Sequence, residues 1–208
     1  MKKLLFAALA IGAVAAVQAQ PVTFFDLGTI TSSATPYSVA DRSVGVDLAG
    51  TSIVWLRFDF PNVTSASGFY FDIDVFSTNT AIPDTEIGLY SNTGALISSD
   101  DDDGHGFMSA LSFGNTTSRT MPSDPNGAIG GLAANGRDGN IGPGRYWLAV
   151  GLWNTTFGAS NWDVSSTSTG AANTALVNFR TDAPVPEPAS IAALALGAGA
   201  LLRRRRRS

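Results

Sequence analysis

The chain has 208 residues, no cysteine and a formal charge of −4. The lack of cysteine excludes disulfide stapling, thiol catalysis and thiolate metal sites. Lys2, Lys3 and five arginines at the extreme C-terminus supply seven of the thirteen cations, and Glu187 is one of seventeen acids, so residues 20–183 keep six arginines against sixteen acids. A region so acidic disfavours nucleic acid and anionic membrane as partners and suits divalent cations.

Taken from the N-terminus, Met1-Lys2-Lys3 is a positive n-region and Leu4 to Val17 an apolar h-region. Val17-Gln18-Ala19 supplies small residues for cleavage between Ala19 and Gln20. The pattern predicts a secretory signal helix over 1–19, removed after export through the Sec machinery. Residues 20–183 are one domain's worth of chain, long enough to bury a core.

That domain reads as all-β. In Ile53 to Phe60, Val54, Leu56, Phe58 and Phe60 share one face while Arg57 and Asp59 point the other way. In Phe69 to Phe76 the alternation repeats, with Asp72 and Asp74 expected outward. Period-2 alternation marks half-buried strands, and Pro61-Asn62 with a Ser/Gly-rich turn predicts a hairpin between them. Further strands are expected at 86–90, 95–98, 108–113, 145–151, 162–166 and 175–180. No segment between the two ends shows sustained helical periodicity. The fold class is an antiparallel β-sandwich; jelly-roll connections are one admissible order, and the strand order stays open. The stretch 115–143 is rich in Gly, Asn, Ser and Pro and reads as a long loop, a feature often functional or mobile.

The middle of the chain carries a motif series: Asp84-Thr85-Glu86-Ile87-Gly88-Leu89-Tyr90, Gly94-Ala95-Leu96, Asp100-Asp101-Asp102-Asp103-Gly104, and later Gly142 to Val150. This series is similar to the bacterial pre-peptidase C-terminal domain over about 70 residues. The resemblance implies a small β-sandwich found beside secreted hydrolases and in surface proteins, without catalysis of its own. The insertion before Gly142 departs from the family pattern.

Four successive carboxylates repel one another unless water or a cation screens them, and Ca²⁺ takes six to eight oxygens at about 2.3–2.6 Å. Asp84, Glu86, Asp100, Asp101, Asp102 and Asp103 are therefore the candidate calcium ligands, set against the reading of a solvated acidic loop. Alternation along an extended strand keeps all four aspartates from one ion unless the loop curls. No cofactor is required by the sequence.

Catalysis is disfavoured. His105 is the single histidine, and no Gly-x-Ser-x-Gly marks a nucleophile. A Ser-His-Asp set stays open only in that Asp103 lies near His105 in sequence. Glu86 and Glu187 are the only glutamates. A secreted hydrolase is thus the weakest reading. A carbohydrate-binding module is a stronger rival, since Trp55 and Trp147 fall on the face opposite their strands' aliphatic residues, where an exposed platform could stack sugars. The competing reading buries both rings.

The chain ends in Val185-Pro186-Glu187-Pro188, an uncharged apolar run from Ala189 to Leu202, and Arg203 to Arg207. As a helix the run reaches roughly 21 Å, short of the ~30 Å hydrocarbon core, so it predicts a short transmembrane helix whose arginines stay cytoplasmic. Pro-Glu-Pro, apolar helix and arginine cluster, in that order over 184–208, resemble the PEP-CTERM sorting signal of Gram-negative bacteria. The resemblance implies recognition of Pro186, Glu187 and Pro188 by a membrane-embedded exosortase, transient residence in the inner membrane through 189–202, and release to the cell surface or exterior. It also implies a setting of exopolysaccharide and biofilm production. The reading is an exported, non-catalytic surface or matrix protein, with a module binding extracellular polysaccharide as the alternative.

Overall fold

The computed structural model describes residues 19–32, 40–61, 68–77, 84–120 and 132–183. The expected signal helix, the sorting motif with its apolar helix, and the centre of the 115–143 stretch lie outside these residues. Among the described residues no helix is long and apolar enough to cross a membrane.

Eleven strands form among the described residues: β1 (Phe25–Thr29), β2 (Arg42–Leu48), β3 (Val54–Phe60), β4 (Tyr70–Phe76), β5 (Thr85–Ser91), β6 (Leu96–Asp100), β7 (Ala110–Gly114), β8 (Gly144–Leu152), β9 (Thr155–Phe157), β10 (Val164–Ser166) and β11 (Asn173–Thr181). One sheet has the order β1-β3-β8-β5-β6, the other β2-β11-β4-β7, and β9 and β10 make a separate ribbon. The pairings nest: β5 with β6, β4 with β7, β3 with β8 and β2 with β11, all antiparallel. This is the connectivity of a jelly roll, a long folded hairpin rolled so that alternate rungs fall in opposite sheets. β1 is added at the rim of the first sheet, parallel to β3.

The expected hairpin between 53–60 and 69–76 does not form. β3 and β4 lie in different sheets, facing across the core rather than sharing hydrogen bonds. Their apolar faces meet there: Phe58 packs on Phe71 and Phe179 at 5.4 and 5.3 Å between ring centroids, and Phe60 meets Phe71 edge-on at 5.1 Å. Leu56, Ile87, Leu89, Leu148 and Val150 from one sheet, with Ile73, Val75, Leu111 and Val177 from the other, complete a core fully shielded from water.

A second, smaller core covers the outer face of the five-stranded sheet. The β9–β10 ribbon folds back over it, so that Tyr90, Trp147, Ala149 and Trp162 are buried with Phe157 and Trp55 against them. Gly88 in β5 and Gly94 in the β5–β6 turn make room: a Cβ on either would run into the ring of Phe157 or Trp162. Tyr90 fixes the ribbon by donating its hydroxyl to the carbonyls of Gly158 and Asp163, at 3.2 and 2.9 Å.

The outer face of the other sheet is covered over β4 and β7, and Asp72 and Asp74, expected outward in water, are buried instead. Arg119 reaches down from the 115–143 stretch and binds Asp72 through both carboxylate oxygens at 3.0 Å. Ser112 adds a hydrogen bond to Asp72 at 2.8 Å, and the Arg119 guanidinium lies over the Tyr70 ring. Farther along, Asp138 accepts from the Ser112 N–H and donates its own N–H to the Ser112 carbonyl, while Gly114 N–H reaches the Gly139 carbonyl. The described parts of the stretch therefore cap the free edge of β7, a protection that exposed edges require.

Gly88→Ala should force Phe157 off the sheet and destabilise the protein by about 1–3 kcal/mol, the usual cost of overpacking. Urea unfolding with tryptophan fluorescence measures it, and an unchanged midpoint would show that the ribbon adds no stability.

Candidate functional site

The six candidate calcium ligands divide three and three. Asp84, just before β5, and Asp101 and Asp102, just after β6, bring one carboxylate oxygen each to within 4.8 Å of one another. The antiparallel pairing that sets Ile87 opposite Asp100 returns the two chain ends to the same place. Asp84 Oδ1 is shielded from water and has no hydrogen-bond partner among the described residues. Burial and the mutual repulsion of these carboxylates raise Asp84 and Asp101 above the usual range.

The other three serve the fold. Glu86 accepts the backbone N–H groups of Asn154 and Thr155, at 3.2 and 2.6 Å, and so ties β5 to the start of the ribbon. Asp100 accepts from Ala110 N–H at 2.7 Å and Asp103 N–H at 3.1 Å, fastening β6 to β7. Asp103 pairs with Arg137 at 2.6 Å. Strand alternation is the cause: Asp100 is still in β6 and Asp101 is the first residue beyond it, so their carboxylates diverge. Burial, only partly offset by the Ala110 N–H, pushes Asp100 up to about 7.

Beside the acidic cluster an open cleft of about 380 Å³ runs between β6 and β9, lined by Glu86, Ser99, Asp101, Thr155, Thr156 and Phe157 among others. Two exposed aromatic side chains stand at the same end of the sandwich. Phe107 is joined there by the Thr85 N–H to its carbonyl, and Trp153 by its own N–H to the Asp84 carbonyl. Sequence patterning counts Trp153 among the aromatics able to stack on sugars but passes over Phe107, which lies in no strand.

The exposed Trp55–Trp147 stacking platform, the rival reading of these two rings, does not form. Both rings occupy the predicted face, but the ribbon covers it: Trp147 is 1% exposed, enclosed by Phe24 and Trp162, and Trp55 leans on Tyr90 at 5.6 Å. His105 packs edge-on against Phe76 at 6.0 Å, and its Nδ1 is buried with no hydrogen-bond partner among the described residues. The orienting hydrogen bond that a Ser-His-Asp set needs from Nδ1–H to an aspartate carboxylate is thus not made among the described residues.

The PEP-CTERM protein-sorting motif matches residues 184–207, directly after the described domain. The chain therefore carries an export and sorting signal of that kind, which implies membrane anchoring before cleavage and processing by an exosortase. Among solved structures, the chain is similar to the pre-peptidase C-terminal domain of a collagenase from Bacillus anthracis, at 12% identity and a TM-score of 0.41 over 78% of this chain and 100% of that one. It is also similar to PliG, a periplasmic inhibitor of g-type lysozyme from Aeromonas hydrophila, at 9% identity and a TM-score of 0.33 over 74% and 99% of the two chains. CorA, a surface-associated copper-binding protein of Methylomicrobium album BG8, matches at 10% identity and a TM-score of 0.33 over 76% and 99%. Likenesses this distant decide nothing about ligand or activity. No curated protein matches the chain in sequence.

The raised Asp100 sets a pH dependence. Its contribution to stability is complete below the unfolded-state value near ~3.9 and is lost as pH rises through about 7, because only the unfolded chain ionises freely between them. Asp100→Asn, which keeps a carbonyl oxygen for the two N–H groups, should flatten the fall of unfolding free energy between those limits. Urea titrations in chelator at several pH values measure the slope, and an unaltered slope would exclude Asp100 as its source.

Proposed function

We propose that this chain is an exported, non-catalytic surface or matrix protein of a Gram-negative cell, associated with exopolysaccharide or biofilm. It crosses by the Sec route and loses residues 1–19, is held briefly in the inner membrane by 189–202, and is freed at Pro186-Glu187-Pro188 by an exosortase. The observation that carries this reading is the position of the sorting motif against the fold. β11 ends at Thr181, Ala183 is fully buried with its carbonyl accepting the Ser32 N–H, and the motif begins at the next residue. Cutting the tail thus removes none of the described strands and none of the described core residues.

Replacing Pro186-Glu187-Pro188 by three alanines should leave the tail attached and the protein in the membrane fraction, while the sandwich keeps its thermal midpoint. Intact-mass measurement of protein from membrane and medium checks it. Normal release of the alanine variant would overturn the reading.

Calcium enters this reading as a stabiliser rather than a reactant. Three carboxylates already crowded together, one with a shielded oxygen lacking a partner, gain from a divalent cation. Millimolar Ca²⁺ should raise the thermal midpoint of the wild-type protein by several degrees over chelator, and Asp101→Asn should remove most of the gain. An identical midpoint with Ca²⁺ and with chelator would exclude the ion.

A further inference from the structure

The two ends of the sandwich differ in chemistry, and the chain fixes which of them lies near the tail. At one end β11 finishes beside the start of β4 and the end of β7: Thr181 pairs with Phe71, Tyr70 with Gly114, and Asn115 N–H reaches the Phe69 carbonyl. Asp41, the end of β3 at Phe60 and the start of β8 at Gly144 belong to the same end. At the opposite end stand Asp84, Asp101 and Asp102, with the exposed rings of Phe107 and Trp153. β8 and β11 each run nine residues between the ends, which separates them by roughly 27 Å.

The tether is shorter than that. From the buried Ala183 to Ala189, the first residue of the apolar run, the chain takes six steps and spans at most about 22 Å fully extended. Inverting the sandwich would lift the attachment point to the full height of the domain, beyond the reach of the tether.

We infer that the membrane surface is the partner of the β11 end: while the tail is uncut, the domain stands on the end formed by Asp41, Tyr70, Asn115 and Asp182. The end bearing Asp84, Asp101, Asp102, Phe107 and Trp153 is then held outward, open to ions and polymers before release. The Pro-Glu-Pro motif is confined to the headgroup layer, so the exosortase must cut at the membrane surface beneath the folded domain. The inference rests on the tail being a membrane anchor.

The protein has no cysteine, so single cysteines give unique labels. Thr116→Cys marks the β11 end and Phe107→Cys the acidic end; both positions are exposed. Full-length protein carrying a fluorophore at either site is reconstituted into phosphatidylcholine vesicles containing a nitroxide-headgroup lipid, where bilayer charge plays no part. Quenching should be about twofold or more stronger at Thr116→Cys. Inserting roughly twenty Gly/Ser residues after Ala183 should shrink that contrast without changing vesicle binding. Equal quenching at the two sites, stronger quenching at Phe107→Cys, or a contrast indifferent to the insertion would overturn the orientation while leaving the anchor intact. Failure of the unlabelled protein to float with the vesicles would overturn the anchor itself and the orientation with it.

Discussion

The antiparallel pairing of β5 with β6 through the turn at Asn92-Thr93-Gly94 is the contact on which the rest of the architecture depends. It is the innermost rung of the nested set, and each outer rung follows from the one before: β4 with β7, β3 with β8, β2 with β11. Sequence separation between partners grows at every step, so the outer rungs bear the larger loop-closure cost and depend on the inner ones being in place. The turn also serves the second core. Gly94 adopts φ +82° and gives Trp162 a surface on which to lie, with the Trp162 N–H donating to the Gly94 carbonyl at 3.1 Å. One short turn thus organises both the main core and the ribbon outside it.

The acidic cluster is a by-product of the same register. Because β5 begins where β6 ends, residues just outside the two strands must meet, and here they are carboxylates: Asp84 on one side, Asp101 and Asp102 on the other. Their neighbours were taken up by the fold. Glu86 and Asp100 each hold two backbone N–H groups and Asp103 holds Arg137, so these acids act as fasteners among β5, β6, β7, the ribbon and the 132–140 segment. A buried carboxylate with two N–H partners is satisfied. The three that remain together are those for which the backbone offers nothing comparable.

Strand positions were legible in the sequence, and coverage was not. β3, β4, β5 and β8 lie within a residue or so of where alternation predicts them, because one face of each had to be apolar. β1, with Asp26 and Gly28 in five residues, and the three-residue β9 carry too little alternation to be read. Periodicity also assigns faces without saying what lies over them. Asp72, Asp74 and Trp147 occupy the predicted faces, yet Arg119 and the ribbon close over two of these regions, so polar residues expected in water are buried, and of the two readings open for Trp147 the buried one holds. The mistaken β3–β4 hairpin has the same root. A short connection between two alternating strands fits a hairpin or a crossing between sheets equally well, and only long-range pairing decides which.

Export and folding meet at β11. This strand is an interior member of its sheet, bonded to β2 along one edge and β4 along the other, and it is the last strand before the sorting motif. During N-to-C export the sheet therefore stays incomplete, with the facing edges of β2 and β4 unpaired, until residue 181 has cleared the membrane. By then only a few residues separate the strand from the apolar run that halts transfer. On the proposed route the sandwich closes at the membrane surface, and the cut removes none of its described strands. A sorting signal placed directly after an interior strand then delivers to its protease a domain whose described strands are already across, with the buried Ala183 the last described residue before the signal.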